Sequence, residues 1–152
     1  KIVGKVLIKN KDDLLESKME ISVETKELSV MTDGKWLEFI LNQIISNSMK
    51  YRRRDVSSVI KIEAEERKDS VSLSVYDNGI GIPKKDISNV FKKTFTGENG
   101  RKGAKSTGMG LYIAKKLCTR LGHKIEIESE ENQWTKVRII FGKNDYYRME
   151  NS

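Results

Sequence analysis

Three groups of residues have the types and spacing to hold a ligand. The first is Asp77-Asn78-Gly79-Ile80-Gly81-Ile82. A carboxylate followed by two closely spaced glycines suits a buried polar contact beside a close ligand approach. Glycine lets backbone come near a ligand and takes positive φ at little cost. The second group is Gln43, Asn47, Lys50 and Tyr51, at offsets of four, three and four, which share one face of a helix. An amide oxygen is a hard ligand suited to Mg²⁺, an ion that keeps several waters and bridges to substrate phosphates. A lysine one turn on supplies a point charge for a phosphate, and a tyrosine ring offers a flat face to a base. The third group, Lys105-Ser106-Thr107-Gly108-Met109-Gly110-Leu111, leads into a helix, whose exposed N–H groups favour phosphate. Each has an ordinary reading too: a β-turn, a solvated helix face, a Thr-capped helix start. The third is neither a P-loop, because the Lys-Ser/Thr end is absent, nor a dinucleotide fingerprint.

The elements that must position these groups follow from periodicity and caps. Residues 1–16 read as a short helix, and Met19–Glu24 alternates as a strand that 28–32 can pair with. Asp33 is an N-cap for a helix running to about Tyr51, with Leu37, Ile40, Leu41, Ile44 and Ile45 as its buried face. Val59–Ala64 and Val71–Tyr76 read as strands around a turn at Lys68-Asp69-Ser70, so Asp77 closes a half-buried strand. Pro83 opens a short helix. Residues 94–107 form a long loop, and such loops in compact domains are usually functional. A helix over Gly108–Leu121 stops at Gly122. Lys124–Ser129 and Trp134–Phe141 make a hairpin over Glu130-Glu131-Asn132. Irregular interspersion of strands and helices predicts a two-layer mixed α/β sandwich, three main helices on one face of a sheet.

The 152 residues suffice for one domain with a real core. No apolar run reaches the length of a membrane span and no signal peptide is visible. The chain opens at Lys1, which suggests a piece of something larger. One cysteine, Cys118, excludes an internal disulfide framework and reads as a buried inert thiol, fitting a reducing cytoplasm; with one histidine, His123, metal sites of the His/Cys type are excluded. The net charge of +7 invites nucleic-acid or anionic-lipid binding. The basic groups lack the interleaved aromatics of a stacking platform, so solvated faces with a phosphate-facing subset account for them better.

Taken in order, the motifs resemble those of the catalytic, ATP-binding domain of bacterial sensor histidine kinases, within the gyrase–chaperone–kinase–mismatch-repair (GHKL) ATPase superfamily. Asn47-Ser48-Met49-Lys50-Tyr51 resembles the N box and Asp77–Ile82 the G1 box. Phe91-Lys92-Lys93-Thr94-Phe95-Thr96-Gly97 echoes the F box, and Ser106-Thr107-Gly108-Met109-Gly110-Leu111 the G2 box. The likeness spans nearly all of residues 18–141. It implies a Bergerat fold, with a mixed, mostly antiparallel sheet, and ATP and Mg²⁺ as ligands. It also implies roles: Asp77 accepting from the adenine amino group, with Gly79, Ile80, Gly81 and Ile82 shaping the pocket; Asn47, and Gln43 beside it, on Mg²⁺; Lys50 on the terminal phosphates; Tyr51 against the purine. Residues 94–107 would be the ATP lid, with Phe95, Thr96, Lys102 and Lys105 at the site. Ser106, Thr107, Gly108, Met109, Gly110 and Leu111 would line the phosphates and adenine, and Thr135 would lie near the base. The domain division implied is 1–17 as a linker from a dimerisation domain, 18–142 as the ATP-binding domain and 143–152 as a charged tail.

Two departures refine this picture. Where self-hydrolysing relatives carry Glu to activate water, this chain has Gln43, which is no base, so autonomous ATP hydrolysis should be slow. That Gln and its surroundings resemble the Gram-positive kinases that respond to cell-envelope peptides. His123 lacks the helical context of a phosphoacceptor and reads as a helix-stop residue, so the acceptor is expected upstream of Lys1 and the fragment is not expected to autophosphorylate. The partners implied are its own dimerisation domain and a response regulator, with no nucleic acid, in a membrane-anchored homodimer whose catalytic part is cytoplasmic. The alternatives are a serine-directed kinase of the anti-sigma-factor type or an ATPase of the same superfamily, and, more distantly, a basic nucleic-acid or lipid module.

Overall fold

In the computed structural model, residues 2–24, 33–92 and 110–142 are described. Their order is α1 (Ile2–Lys9), α2 (Lys11–Glu16), β1 (Glu20–Glu24), α3 (Gly34–Lys50), β2 (Val59–Glu66), β3 (Ser70–Asp77), a 3-10 helix (Lys84–Asn89), α4 (Gly110–Arg120), β4 (Lys124–Glu130) and β5 (Trp134–Gly142). The strands form one sheet in the order β1-β2-β3-β5-β4. β1 runs parallel to β2, and the other neighbouring pairs are antiparallel. This is the mixed, mostly antiparallel sheet expected.

Register explains where the polar site can lie. Ile62, Val75, Val137 and Ile127 stand opposite one another across β2, β3, β5 and β4, as do Ala64, Leu73, Ile139 and Ile125. Side chains alternate along a strand, so the next row on the same face is Ile60, Asp77, Thr135 and Ser129. That face is the one the helices cover, since Ile60, Ile62, Val75, Val137 and Ile139 share a core with Leu37, Ile40, Leu41, Ile44 and Ile45 of α3. Asp77 is thus a carboxylate at the end of an apolar sheet face.

The longest helix forms for the reasons its sequence offers. Asp33 caps α3 by accepting the Trp36 N–H at 3.0 Å. The β-branched isoleucines lower helix propensity by only tenths of a kcal/mol each. Burying Ile40, Leu41, Ile44 and Ile45 almost completely gains ~1.5–3 kcal/mol apiece and decides the matter. α4 ends as anticipated: Gly122 takes φ 78°, its N–H donates to the Thr119 carbonyl at 3.1 Å, and the His123 N–H donates to that of Cys118 at 2.8 Å, a Schellman closure.

Several expectations are corrected. The single N-terminal helix is two, broken at Asn10, whose buried amide donates to the Val6 carbonyl at 2.9 Å and to Asn42 Oδ1 at 2.8 Å. A side chain that bonds nearby backbone competes with helix continuation. The break lets both Val6 and Leu14 enter the core. β3 runs through Asp77, and β4 continues through Glu130, so the hairpin turns over residues 131–133 with Asn132 at φ 63°. The expected strand at 28–32, the lid at 94–107, the first two residues of the helix at 108–121 and the tail from 143 lie outside the described residues. Among the described residues no helix is long and apolar enough to cross a membrane.

Candidate functional site

Asp77 is the chemical centre of the described site. It is 8% exposed. Its Oδ2 accepts from Ser48 Oγ at 2.8 Å and its Oδ1 from the Gly79 N–H at 3.0 Å. Burial pushes its pKa up to about 6, while the bonds from Ser48 and Gly79 pull it back. Among the described residues no cation pairs with it. A buried carboxyl held only by two neutral donors retains acceptor capacity for a further N–H.

The segment after Asp77 is clamped from both sides. The Ile80 N–H donates to the Tyr51 carbonyl at 2.9 Å, and the Asn132 N–H donates to the Ile80 carbonyl at 2.6 Å. The Ile82 N–H donates to Ser129 Oγ at 2.8 Å. Two glycines make this approach possible. A Cβ on Gly79 would lie 2.6 Å from the Tyr51 carbonyl oxygen, and Gly81, at φ 68°, would drive one into the backbone of Glu130. Asn78 locks the base of the segment, accepting the Val59 N–H and donating to the Ser57 carbonyl, each at 2.8 Å. Its own carbonyl accepts from Arg53 Nε at 2.9 Å. Ser129 donates to the Trp134 carbonyl at 2.7 Å. Its one proton is thereby committed, so Thr135 Oγ1, 2.9 Å away, is the donor of that contact.

The polar face of α3 reaches the same end of the sheet. Gln43, Asn47, Lys50 and Tyr51 are all half-buried. Tyr51 caps α3 through its N–H to the Asn47 carbonyl at 3.0 Å, and Lys50 Nζ lies 6.0 Å from the Tyr51 ring centroid. Gln43 Oε1 lies where a Cβ on Gly110 would come within 2.6 Å, so α3 meets the first turn of α4 through this amide. Among the described residues no three His, Cys, Asp or Glu converge, which leaves the amides of Gln43 and Asn47 as the hard donors on this face.

The structure therefore brings Gln43, Gly110 and Leu111 to one helix junction, and Asp77, Gly79, Ile80, Gly81, Ile82 and Thr135 to the strand ends beside Asn47, Lys50 and Tyr51. Phe95, Thr96, Lys102, Lys105, Ser106, Thr107, Gly108 and Met109 lie outside the described residues. Two contributors had no role assigned from the sequence, Ser48 and Ser129. Each left a signal. Ser48 sits one turn after Ile44 on the apolar stripe of α3, and Ser129 continues the alternation of Ile125 and Ile127.

Residues 32–145 match the family described as histidine kinase-, DNA gyrase B-, and HSP90-like ATPase. The chain belongs to that family. It is 38% identical over 112 residues to the sensor histidine kinase YxdK of Bacillus subtilis (strain 168), covering 74% of this chain and 34% of that one. To the sensor protein BceS of the same organism it is 38% identical over 122 residues, 80% of this chain and 35% of the other. The chain thus spans about a third of the curated relatives it matches. The fold is that of the catalytic domain of histidine kinase ThkA, with a TM-score of 0.78, 24% identity, and coverage of 93% of this chain and 92% of that one.

Proposed function

We propose that this ATPase-family domain binds Mg-ATP at the end of β3 and donates the γ-phosphoryl group to a histidine on a separate dimerisation domain, for relay to a response regulator. One observation carries the reading: a buried acid, Asp77, whose partners are neutral donors and which keeps an acceptor for an amino group such as that of adenine. The residues fit the nucleotide in a second way. The glycines at 79 and 81 hold the backbone where any side chain would collide, leaving the segment beside Asp77 narrow and fixed.

In this reading Asp77 selects the amino group, Ile80 and Ile82 flank the base, Thr135 lies beside it and Tyr51 packs on the ring. Asn47 and Gln43 hold Mg²⁺, and Lys50 offsets phosphate charge. The lid residues Lys102 and Lys105 would add charge, and Ser106, Thr107, Gly108 and Met109 would hold phosphate at the start of α4. Mg-ATP supplies the phosphoryl group, while the chain supplies positioning and charge neutralisation. Gln43 cannot act as a base, so hydrolysis without an acceptor is slow. Residues 1–17 would link to the dimerisation domain of a membrane-anchored homodimer, this domain lying on the cytoplasmic side. Kinship to sensor kinases favours this over a serine-directed kinase or a nucleic-acid module. A solved complex of histidine kinase ThkA with response regulator protein TrrA supports the proposed relay partner.

Titration with a fluorescent ATP analogue tests the proposal. Saturable, Mg²⁺-dependent binding is expected, abolished by Asp77→Asn and weakened by Asn47→Asp. Absence of saturable binding at millimolar nucleotide would sink it.

A further inference from the structure

Ser48 stands on the apolar stripe of α3 and is 3% exposed. Its Oγ lies 2.8 Å from Asp77 Oδ2 and 3.2 Å from the Ile44 carbonyl oxygen. A serine has one hydroxyl proton, so it can donate to only one of these acceptors at a time. When Asp77 is ionised, the proton belongs on Oδ2, because hydrogen bonds to charged acceptors are the stronger ones. When Asp77 is protonated, its own O–H can donate to Ser48 Oγ, and the serine turns its proton to Ile44. Both states leave the buried atoms satisfied.

We propose that Ser48 is a positioning residue for base selection, its single proton holding the Asp77 carboxyl as an acceptor towards the purine and so favouring a 6-amino over a 6-oxo base. This rests on the assignment of Asp77 to the base made above. The geometry is specific. Gly79 N–H fixes Oδ1 and Ser48 fixes Oδ2, which together set the carboxyl plane. Without Ser48 the carboxyl would lose one of its two anchors and gain nothing, because of its two sheet neighbours Ile60 has no donor and Thr135 gives its hydroxyl proton to Ser129. Lys50, Tyr51, Arg52 and Arg53 are the ionisable residues at the α3 end, the two arginines bonded to the carbonyls of Met49 and Asn78. Lys61, Tyr76 and Lys136 alternate to the opposite sheet face. None of them governs the titration of Asp77, which burial, Ser48 and the Gly79 N–H control.

The consequence is a pH profile. With Asp77 titrating at about 6, affinity for an ATP analogue should fall as pH drops below that value. Ser48→Ala should move the midpoint upward by about one pH unit, the scale of one hydrogen bond to a charged group. The variant would bind about twofold more weakly at pH 7 and about fivefold more weakly at pH 6, and would regain nearly all of that loss by pH 9. Ser48→Thr, which keeps the hydroxyl, should retain the wild-type midpoint. Preference for ATP over inosine triphosphate should collapse at a higher pH in Ser48→Ala than in wild type.

The experiment measures analogue affinity from pH 5 to 9 for wild type, Ser48→Ala, Ser48→Thr and Asp77→Asn. The ¹³C titration of the Asp77 carboxyl is followed in the nucleotide-free protein, which needs no ligand. An unshifted Asp77 titration in Ser48→Ala, or an equal loss of affinity at every pH, overturns the role of Ser48. If Asp77→Asn binds ATP as wild type does, the nucleotide assignment fails instead. Should Ser48→Ala not fold, the Ser48→Thr and wild-type titrations decide: a wild-type carboxyl titrating near 6 that Ser48→Thr preserves supports the proposal, and a shifted one in Ser48→Thr overturns it.

Discussion

Asp77 has a cost as well as the use proposed for it. A carboxyl held at about 6 instead of 3.8 destabilises the folded state by about 1–3 kcal/mol at neutral pH. The sign follows from its raised pKa: the penalty is full above about 6 and fades as pH falls towards 3.8. Asparagine at 77 can mimic the protonated acid, accepting from Gly79 N–H and donating to Ser48 Oγ. Asp77→Asn should therefore melt several degrees above wild type at pH 7.5 while losing nucleotide binding. The difference should shrink by pH 4.5, and paired thermal melts at both pH values check it. Cys118 shows the opposite case, a buried thiol pushed up to about 11 by burial with no use for its charge. Asp77 was legible in the sequence because it ends an alternating run. Ser48 was not given its role, since a serine on an apolar stripe declares burial but not its partner.

At the scale of elements, the G1-type segment depends on contacts from both neighbours. Gly81→Ala would force a non-glycine residue to φ 68° and press its Cβ onto Glu130. A cost of at least about 2 kcal/mol is expected, read from the denaturant midpoint, together with weaker analogue binding. The N-cap of α3 offers a contrast. Asp33→Ala removes the bond to Trp36 N–H and should cost ~1 kcal/mol. It lies about 20 Å along the helix from Asn47 at 1.5 Å per residue, so analogue affinity should stay within about twofold. A matched loss of affinity would show that the helix transmits strain to the site. The cap and the Gly122 stop were readable, both being local chemistry. The break at Asn10 was not, because Asn42, which accepts from its side chain, is distant in the chain.

At the scale of the molecule, the sole histidine is a poor acceptor for a phosphoryl group. His123 is buried, its ring edge-on to Phe141 with centroids 4.6 Å apart, at the junction of α4 and β4. Incubation of this chain alone with γ-labelled ATP should yield no phosphohistidine, whereas addition of a dimerisation domain bearing its acceptor should. Label on His123 in the isolated chain would contradict this. The sequence by itself determined most of the described elements, the Asp33 cap and Gly122 stop, the glycines and the acid at a strand end, because periodicity and capping act within a few residues. Only the tertiary structure decided that Asp77 turns towards the helices and meets Ser48, 29 residues away, and that Gly81 nests against Glu130. Such meetings depend on sheet register and on the rotation of α3 over the core, which packing of many side chains sets together.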